Sequence, residues 1–458
     1  MDLSNAEDSS VRAEVIRALL LGSQQPEPGC LPGLLLHGAH IKGHLALAFA
    51  EVNCPVVLDG CVFDDSMDFG GARLRRLSLR GSTFPGLSAV RATVDGDLDM
   101  VGCRSSGEVQ LVGARIAGGL LLDGAHVRGP DVALDGSLLE VAGDVIGHNG
   151  FTCSGTLRLL NARVAGALRL EGATIYRPGG VALDARNLTV GTLANCCDGF
   201  RADGEMTFIY AKVHNVLCLE DAHLSNPDGT ALNCRFFDTD RLILRPAPPI
   251  RGGVDLRHAR IELIEDESTR WPERLHFDGL VYQRIWDVAQ SDVGSAGERL
   301  RWLQLDADRH LPLAFAQLAG MYRRIGRESD ARTILLADHR QRRRLAPPLD
   351  KIWGYIQDWT IGYGYRPVLA AGWLVGLLLF GTVLFGIWPP RPSATVDAPE
   401  FNPAVYTLDL LLPIVDFGQE RSYIPGGLEA WVGYGLIAAG WVLATTIAAG
   451  AARILRRE

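Results

Sequence analysis

The sequence lacks the short motifs that most often reveal an enzyme. It contains no Gly-x-Gly-x-x-Gly, no Gly-x-x-x-x-Gly-Lys-(Ser/Thr) and no His-Glu-x-x-His, the patterns that bind dinucleotides, nucleotide phosphates and catalytic zinc. The net charge of −8 argues against a nucleic-acid-binding protein, because such proteins carry a basic domain or stripe. We therefore expect a non-enzymatic protein with no cofactor, no metal site and no nucleic-acid partner.

Aromatic residues are scarce at 7 %, whereas glycine is abundant with 52 residues, and this composition favours repeated tight turns over one bulky core. The cysteines form no Cys-x-x-Cys pair. We interpret them as reduced thiols that pack as small apolar groups in a reducing compartment, with a metal or redox role as the alternative. All nine lie between residues 30 and 234: Cys30, Cys54, Cys61, Cys103, Cys153, Cys196, Cys197, Cys218 and Cys234.

The N-terminal segment has acidic residues before its only apolar run, Ala18 to Leu21, which is not the pattern of a secretory signal. Ser9 or Ser10 followed by Glu14 predicts a short capped helix within residues 1–29. We expect the first domain to lie in the cytoplasm.

A five-residue phrase recurs through the first half of the chain. It places a small residue two positions before Val, Ile or Leu, as in NARVA-GALRL-EGATI from Asn161 and GARIA-GGLLL-DGAHV from Gly113. In a strand, residues two apart share a face, so the small and the apolar residue both point inward. Four five-residue sides close a coil of about twenty residues, and stacked coils bury a continuous core. The pattern predicts a β-solenoid over residues 30–285, with a β-sandwich as the alternative.

The phrases resemble the pentapeptide-repeat family, with Gly-Ala often replacing Ala-Asp or Ala-Asn. The resemblance implies a right-handed quadrilateral β-helix. Such solenoids serve as scaffolds or recognition surfaces, and we expect a protein partner for this one. We interpret two groups of polar residues as surface residues: the acids Asp64, Asp65 and Asp68, and the histidines His37, His40 and His44.

From Trp286 the apolar spacing becomes helical. The spacing predicts a first helix with Phe315, Leu318 and Tyr322 on its apolar face. It predicts a break at Gly326 and a second helix that contains Ala331. The arrangement resembles a single tetratricopeptide-type hairpin over residues 286–346. We expect it to cap the solenoid, and peptide binding is the alternative.

Residues 347–367 predict a membrane interface, because aromatic rings there follow a run of arginines. The expected contacts with lipid headgroups are Arg340, Arg342, Arg343, Arg344, Lys351, Trp353 and Trp359.

Two uncharged stretches, 368–388 and 431–452, are each long enough for a transmembrane helix. Their glycines favour helix association and a homo-oligomer. Flanking positive charge predicts a multi-pass protein of the plasma membrane with both termini cytoplasmic, including the basic tail 453–458.

The loop 389–430 would then be extracytoplasmic. Its apolar stretch 403–412 is too short to span and predicts a re-entrant helix. The order of span, short helix, Gly-containing stretch and span resembles two-transmembrane pore-loop channels. The candidate pore residues are Asp409, Val415, Asp416, Phe417, Gly418 and Gln419. Cation conduction is one hypothesis for this loop, and an external cap that stabilises the hairpin is the other.

The whole arrangement also resembles an actinobacterial group of membrane proteins that is loosely labelled membrane-associated oxidoreductases. That resemblance implies a redox reaction, for which the sequence shows neither a nucleotide nor a haem motif. The leading hypothesis is a membrane protein that presents a cytosolic β-helix as a scaffold or partner-recognition module. An oligomeric cation channel and an oxidoreductase are the alternatives.

Overall fold

The computed structural model describes residues 10–22, 33–290, 292–306, 311–345, 367–392, 400–412 and 415–455. The chain divides into two compact units, Met1–Gly326 and Arg327–Glu458.

The first unit contains a β-solenoid of about 12 turns, which confirms the predicted solenoid. Each turn adds one rung to four ladders of parallel strands, here named sides 1 to 4 in chain order. Sides 1 and 2 are formed by Leu34–His37, Glu51–Asp59, Arg73–Ser78, Thr93–Val94, Leu98–Asp99, Arg115–Ile116, Leu120–Leu121, Glu140–Val141, Val145–Ile146, Arg163–Val164, Leu168–Arg169, Thr189–Val190, Leu193–Asn195, Lys212–Cys218, Asp238–Leu244, Arg260–Asp266 and Val281–Asp287.

Sides 3 and 4 lie on the other half of each turn. They are formed by Ser10–Arg12, His40–Lys42, Leu45–Ala46, Val62–Phe63, Met67–Asp68, Thr83–Phe84, Leu87–Ser88, Arg104–Ser105, Val109–Gln110, His126–Asp135, Thr152–Arg158, Thr174–Asp184, Arg201–Thr207, His223–Asn233, Arg251–Asp255 and Arg274–His276.

The turns do not use five residues on every side. In one turn the four strands begin at Thr93, Leu98, Arg104 and Val109, and the next turn begins at Arg115, so the steps alternate between five and six residues. The six-residue steps each contain a residue with positive φ, such as Gly102 or Gly113. This left-handed residue makes the sharper corner, and the sequence period therefore slips from a strict five.

The core follows the predicted two-residue spacing. Ala114 and Ile116 are both buried, as are Ala162 and Val164, whereas the arginine between each pair is exposed. Small side chains leave room at the corners and larger ones fill the centre of the coil. Stacking then buries a column of apolar surface that no single turn could bury alone.

Additional elements lie at both ends of the solenoid. Helix α1 (Ala13–Leu20) follows the strand Ser10–Arg12, which pairs with His40–Lys42. The predicted serine cap is wrong: the residue before α1 is Arg12 with no side-chain cap, because Ser10 belongs to the strand. At the other end lie α2 (Ala296–Leu303) and α3 (Pro312–Arg324). The Gln317 and Arg324 side chains on α3 donate to the Tyr282 carbonyl.

The second unit is helical, with a small core between three of its helices. They are α4 (Glu328–Leu345), α5 (Pro367–Ile387), α6 (Pro403–Leu411), α7 (Gln419–Ser422) and α8 (Leu428–Leu455), with an antiparallel pair of strands at Arg391–Pro392 and Tyr423–Ile424. Helix α6 packs against both α5 and α8. Phe385, Tyr406, Leu411 and Leu436 form the core between these three helices.

Helices α5 and α8 occupy the two stretches from which transmembrane helices were predicted. Within the residues that the structure describes, no helix has both the length and the apolarity needed to cross a membrane. The transmembrane assignment therefore stays a prediction.

Candidate functional site

One corner of the solenoid, between side 4 and side 1, carries large side chains on left-handed backbone. A residue other than glycine pays about 1–2 kcal/mol in that conformation. Burial does not explain the strain, because Phe49 is 87 % and Leu138 is 57 % exposed. Exposed, strained residues in a row are typical of a functional surface. We name this row the bulky corner; in successive turns it contains Phe49, Gly71, Arg91, Gly113, Leu138, Asn161, Asn187, Tyr210, Phe236, His258 and Gly279.

Three rings are stacked along the bulky corner. The ring centroids of Tyr210 and Phe236 are 4.7 Å apart, and those of Phe236 and His258 are 4.9 Å apart. A Cβ on Gly279 would lie 2.3 Å from His258 Nδ1, so the histidine ring covers that glycine. The stack presents ring edges to solvent on three successive turns.

The outward residues of side 1 lie beside the bulky corner and form a second row. A base occurs on every second turn, and we name these five bases the cationic ladder: Arg73, Arg115, Arg163, Lys212 and Arg260. The turns between them carry Thr93, Glu140, Thr189 and Asp238. At this position side 1 therefore alternates basic rungs with neutral or acidic ones. Two residues further along their strands, Asp240 and Glu262 are exposed as well.

Most of the cationic ladder is free to meet a ligand. The Arg115 Nε lies 3.1 Å from Glu140 Oε2, in an exposed ion pair. Within the described part of the chain, Arg73, Arg163, Lys212 and Arg260 make no ion pair. Their side chains are exposed.

Two grooves flank the middle of the cationic ladder and share Arg115, Glu140 and Arg163. The first, of about 560 Å³, runs along the bulky corner past Arg91 and Leu138. The second, of about 610 Å³, lies on the other edge of side 1 and is mostly apolar. Small residues line its floor: Ala117, Ala142, Ala165 and Gly191.

Close packing of successive turns explains the second groove. A Cβ on Gly166 would lie 2.7 Å from the Gly143 carbonyl oxygen, and one on Gly191 would lie 2.0 Å from the Ala165 carbonyl oxygen. Only glycine fits at such approaches. The corner between side 1 and side 2 therefore carries no side chains that project outward, and the second groove remains open beside the cationic ladder.

The thiols are packed as predicted. Cys103, Cys153, Cys196 and Cys234 are buried, and burial raises the pKa of both Cys103 and Cys153 to about 12. Cys196 is fully buried, whereas Cys197 packs with Cys218 and Ile243 in a separate cluster. Both cysteines follow the strand Leu193–Asn195. Cys30 lies outside the described residues.

We expect the buried thiols to react slowly with a thiol reagent in the folded chain. At pH 8 a thiol with a pKa of about 12 is about one part in ten thousand thiolate, and thiolate is the reactive form. In full-length protein with Cys30 replaced by Ser, mass spectrometry after maleimide labelling should find Cys54 modified at least a hundredfold faster than Cys103 or Cys153. Comparable rates in folded protein would contradict this packing.

A buried charge cluster lies where the last strand meets α2. The Arg299 guanidinium is fully buried and donates to both oxygens of Asp266, at 2.6 and 2.9 Å. Its Nη2 lies 4.0 Å from Asp287, and its Nε donates to the Val293 carbonyl. The indole of Trp271 also donates to Asp266, at 2.9 Å. These contacts hold the end of the solenoid to α2.

The candidate pore residues form a network within the second unit. The Asp409 carboxylate accepts hydrogen bonds from the backbone N–H groups of Phe417, Gln419 and Glu420, at 2.8 to 2.9 Å. Asp409 is buried, so this carboxylate organises the start of α7. Val415 is exposed and makes a backbone contact with Leu412.

Asp416 lies at the surface of the same loop. It accepts from the Gly418 N–H and lies 3.1 Å from Arg421. Gly418 has a φ of 81°, the conformation that precedes α7. The predicted loop residues are therefore brought together, with Asp409 at the centre instead of Asp416.

The predicted headgroup residues are described only in part. Arg340 and Arg342 lie on α4, as does the backbone of Arg343 and Arg344. Lys351, Trp353 and Trp359 lie outside the described residues. Near the N-terminus, His40 lies 2.7 Å from Asp64 in an exposed pair. Across the described ranges, no three His, Cys, Asp or Glu side chains are placed to share a metal ion.

The bulky corner and the cationic ladder were missed in the sequence interpretation, although one signal was present. The phrases GARL, GARI, NARV and HARI each place arginine between the two inward residues. These arginines are Arg73, Arg115, Arg163 and Arg260, which the solenoid aligns on side 1.

Comparison with known proteins assigns no family or function: no family model, no curated protein and no solved structure matches this chain.

Proposed function

We propose that this protein is a non-enzymatic, membrane-attached scaffold whose β-solenoid recognises a protein partner in the cytosol. The observation that carries the proposal is the bulky corner beside the cationic ladder. It combines strained and exposed large side chains, unpaired bases and two grooves on one face. Recognition sites place apolar anchors next to a charged rim in this way. The pentapeptide-repeat type of coil, right-handed with four sides, belongs to the same proposal.

Attachment to a membrane is supported by the outer surface of the second unit. Val375, Leu379 and Val383 on α5 are exposed, and so are Trp431 and Trp441 on α8. Apolar side chains this numerous on the outside of a small helical unit require a cover. The 21-residue α5 is uncharged, and the 28-residue α8 is charged only near its ends, at Glu429 and Arg453, which suits lipid. Association of these helices between copies of the chain gives a homo-oligomer.

A site-specific crosslink tests the scaffold. A photoreactive amino acid at Leu138 on the bulky corner should crosslink the full-length chain in cells to one defined protein. The same group at Tyr176, which has similar exposure (54 % against 57 %) but lies on a strand of sides 3 and 4, is the matched control. We expect at least tenfold more crosslinked product from Leu138. Equal products from both positions, or none from either, would overturn the proposal.

An oligomeric cation channel is the second candidate. It is favoured by α6, a short helix packed between α5 and α8, and by the Asp416 carboxylate on the loop that follows. Reconstituted protein would then conduct, and Asp416→Asn would lower cation selectivity. Folded protein that leaves bilayers silent would remove the channel.

A further inference from the structure

We propose that side 1 binds an extended acidic protein segment in the polyproline II conformation, with an acidic residue at every third position. The inference rests on the proposed scaffold function and names the chemistry of its partner. The bound segment runs along the solenoid axis, its acids facing the cationic ladder and its other residues lying against the bulky corner.

The spacing of the bases leads to this conformation. Neighbouring rungs of a parallel ladder are about 4.8 Å apart, so bases on every second turn are about 9.6 Å apart. A polyproline II helix repeats every three residues with a rise of about 3.1 Å each, which brings every third residue to the same face at about 9.3 Å. An extended β-strand repeats at about 6.7 Å and an α-helix at about 5.4 Å. Of these three conformations, only polyproline II has a repeat that matches the distance between successive bases from Arg73 to Arg260.

The rungs between the bases determine the kind of anion. Glu140 and Asp238 lie between bases, and Glu140 already pairs with Arg115. A nucleic acid carries charge at every nucleotide and would meet these carboxylates, and such ligands require a continuous basic stripe. A peptide with one acid in three residues places its charges only at the bases and leaves Thr93 and Thr189 opposite uncharged residues.

The bulky corner supplies the other half of the recognition. Polyproline II segments dock their rings in grooves lined by aromatic and apolar side chains. The 560 Å³ groove beside Leu138 lies next to the ladder, and the stacked rings of Tyr210 and Phe236 lie farther along the same corner. Proline rings at the positions between the acids would lie against these side chains.

The test uses the full-length chain and labelled 15-residue peptides. The probe repeats Pro-Pro-Glu five times, and the matched control has the same composition with its five glutamates adjacent. Fluorescence anisotropy at physiological salt should show at least tenfold tighter binding of the repeat. The double variant Arg163→Gln, Lys212→Gln should weaken binding of the repeat about tenfold, since each exposed ionic contact contributes a few fold.

The control variant Arg104→Gln, Arg201→Gln removes two exposed bases from side 3 and should change binding less than twofold. Equal binding of the two peptides would show that the spacing of the glutamates does not matter and would overturn the inference. Equal weakening by the two double variants would show that the peptide responds only to the net charge of the protein, and would overturn it as well. Displacement of the repeat by a 15-nucleotide oligo(dT) as effectively as by unlabelled peptide would point to nucleic acid and overturn the inference. If the peptide fails while the Leu138 crosslink succeeds, this inference falls and the scaffold function stands.

Discussion

Replacement of Arg299 by alanine is expected to destabilise the end of the solenoid by about 3–5 kcal/mol. The guanidinium is fully buried against Asp266, with Asp287 at 4.0 Å. Alanine would leave two buried carboxylates without their cation, and the cost of an uncompensated buried charge exceeds the value of the pair itself. The Val293 carbonyl would lose its donor as well.

Hydrogen exchange of the full-length chain is the suitable measurement, because a long solenoid does not unfold in one step. Amides of Val281–Asp287 and Ala296–Leu303 should exchange more than a hundredfold faster in Arg299→Ala. Arg301→Ala on the same helix is the control; its side chain is 70 % exposed and its loss should cost less than about 0.5 kcal/mol.

A second variant separates charge from packing. In Arg299→Met, Asp266→Leu the bidentate pair is replaced by apolar groups, which should recover part of the loss when shape is kept; the buried Asp287 carboxylate still lacks its cation. If Arg299→Ala leaves the exchange of both segments unchanged, the cluster does not hold the solenoid end to α2.

Asp409→Ala is expected to release the loop that precedes and includes α7. Three backbone N–H groups, of Phe417, Gln419 and Glu420, would lose their acceptor; the Gln419 hydrogen bond is buried and the other two are partly buried. Each unsatisfied group costs about 1–3 kcal/mol, so the variant should lose more than about 3 kcal/mol locally. Asp416→Ala, the exposed neighbour paired with Arg421, should lose less than about 1 kcal/mol.

Limited proteolysis of detergent-solubilised chain measures this difference. The segment 415–424 should be cleaved at least a hundredfold faster in Asp409→Ala, whereas Asp416→Ala should remain close to the wild type. The reverse order would assign the structural role to Asp416. An unchanged loop combined with altered conductance would give Asp409 a role in ion passage instead.

The two variants show where reasoning from sequence succeeded and where it could not. Asp409 and Asp416 were both candidates because the loop resembles a pore loop. The pattern cannot tell which of the two carboxylates is buried. The three N–H groups that donate to Asp409 come within reach of its carboxylate only when α6 packs beside α7. Arg299 gave no signal, because it lies on α2 and Asp266 is 33 residues away on a strand of the solenoid.

The sequence by itself determined the solenoid, since a small residue two before an apolar one specifies a strand face, and repetition specifies stacking. It also determined the helical segments through their spacing and the burial of the thiols. The tertiary structure decided the rest. Left-handed residues lengthened alternate steps to six, and the resulting register aligned arginines from distant phrases into the cationic ladder beside the bulky corner. Such a surface depends on the register between turns, which no single five-residue phrase contains.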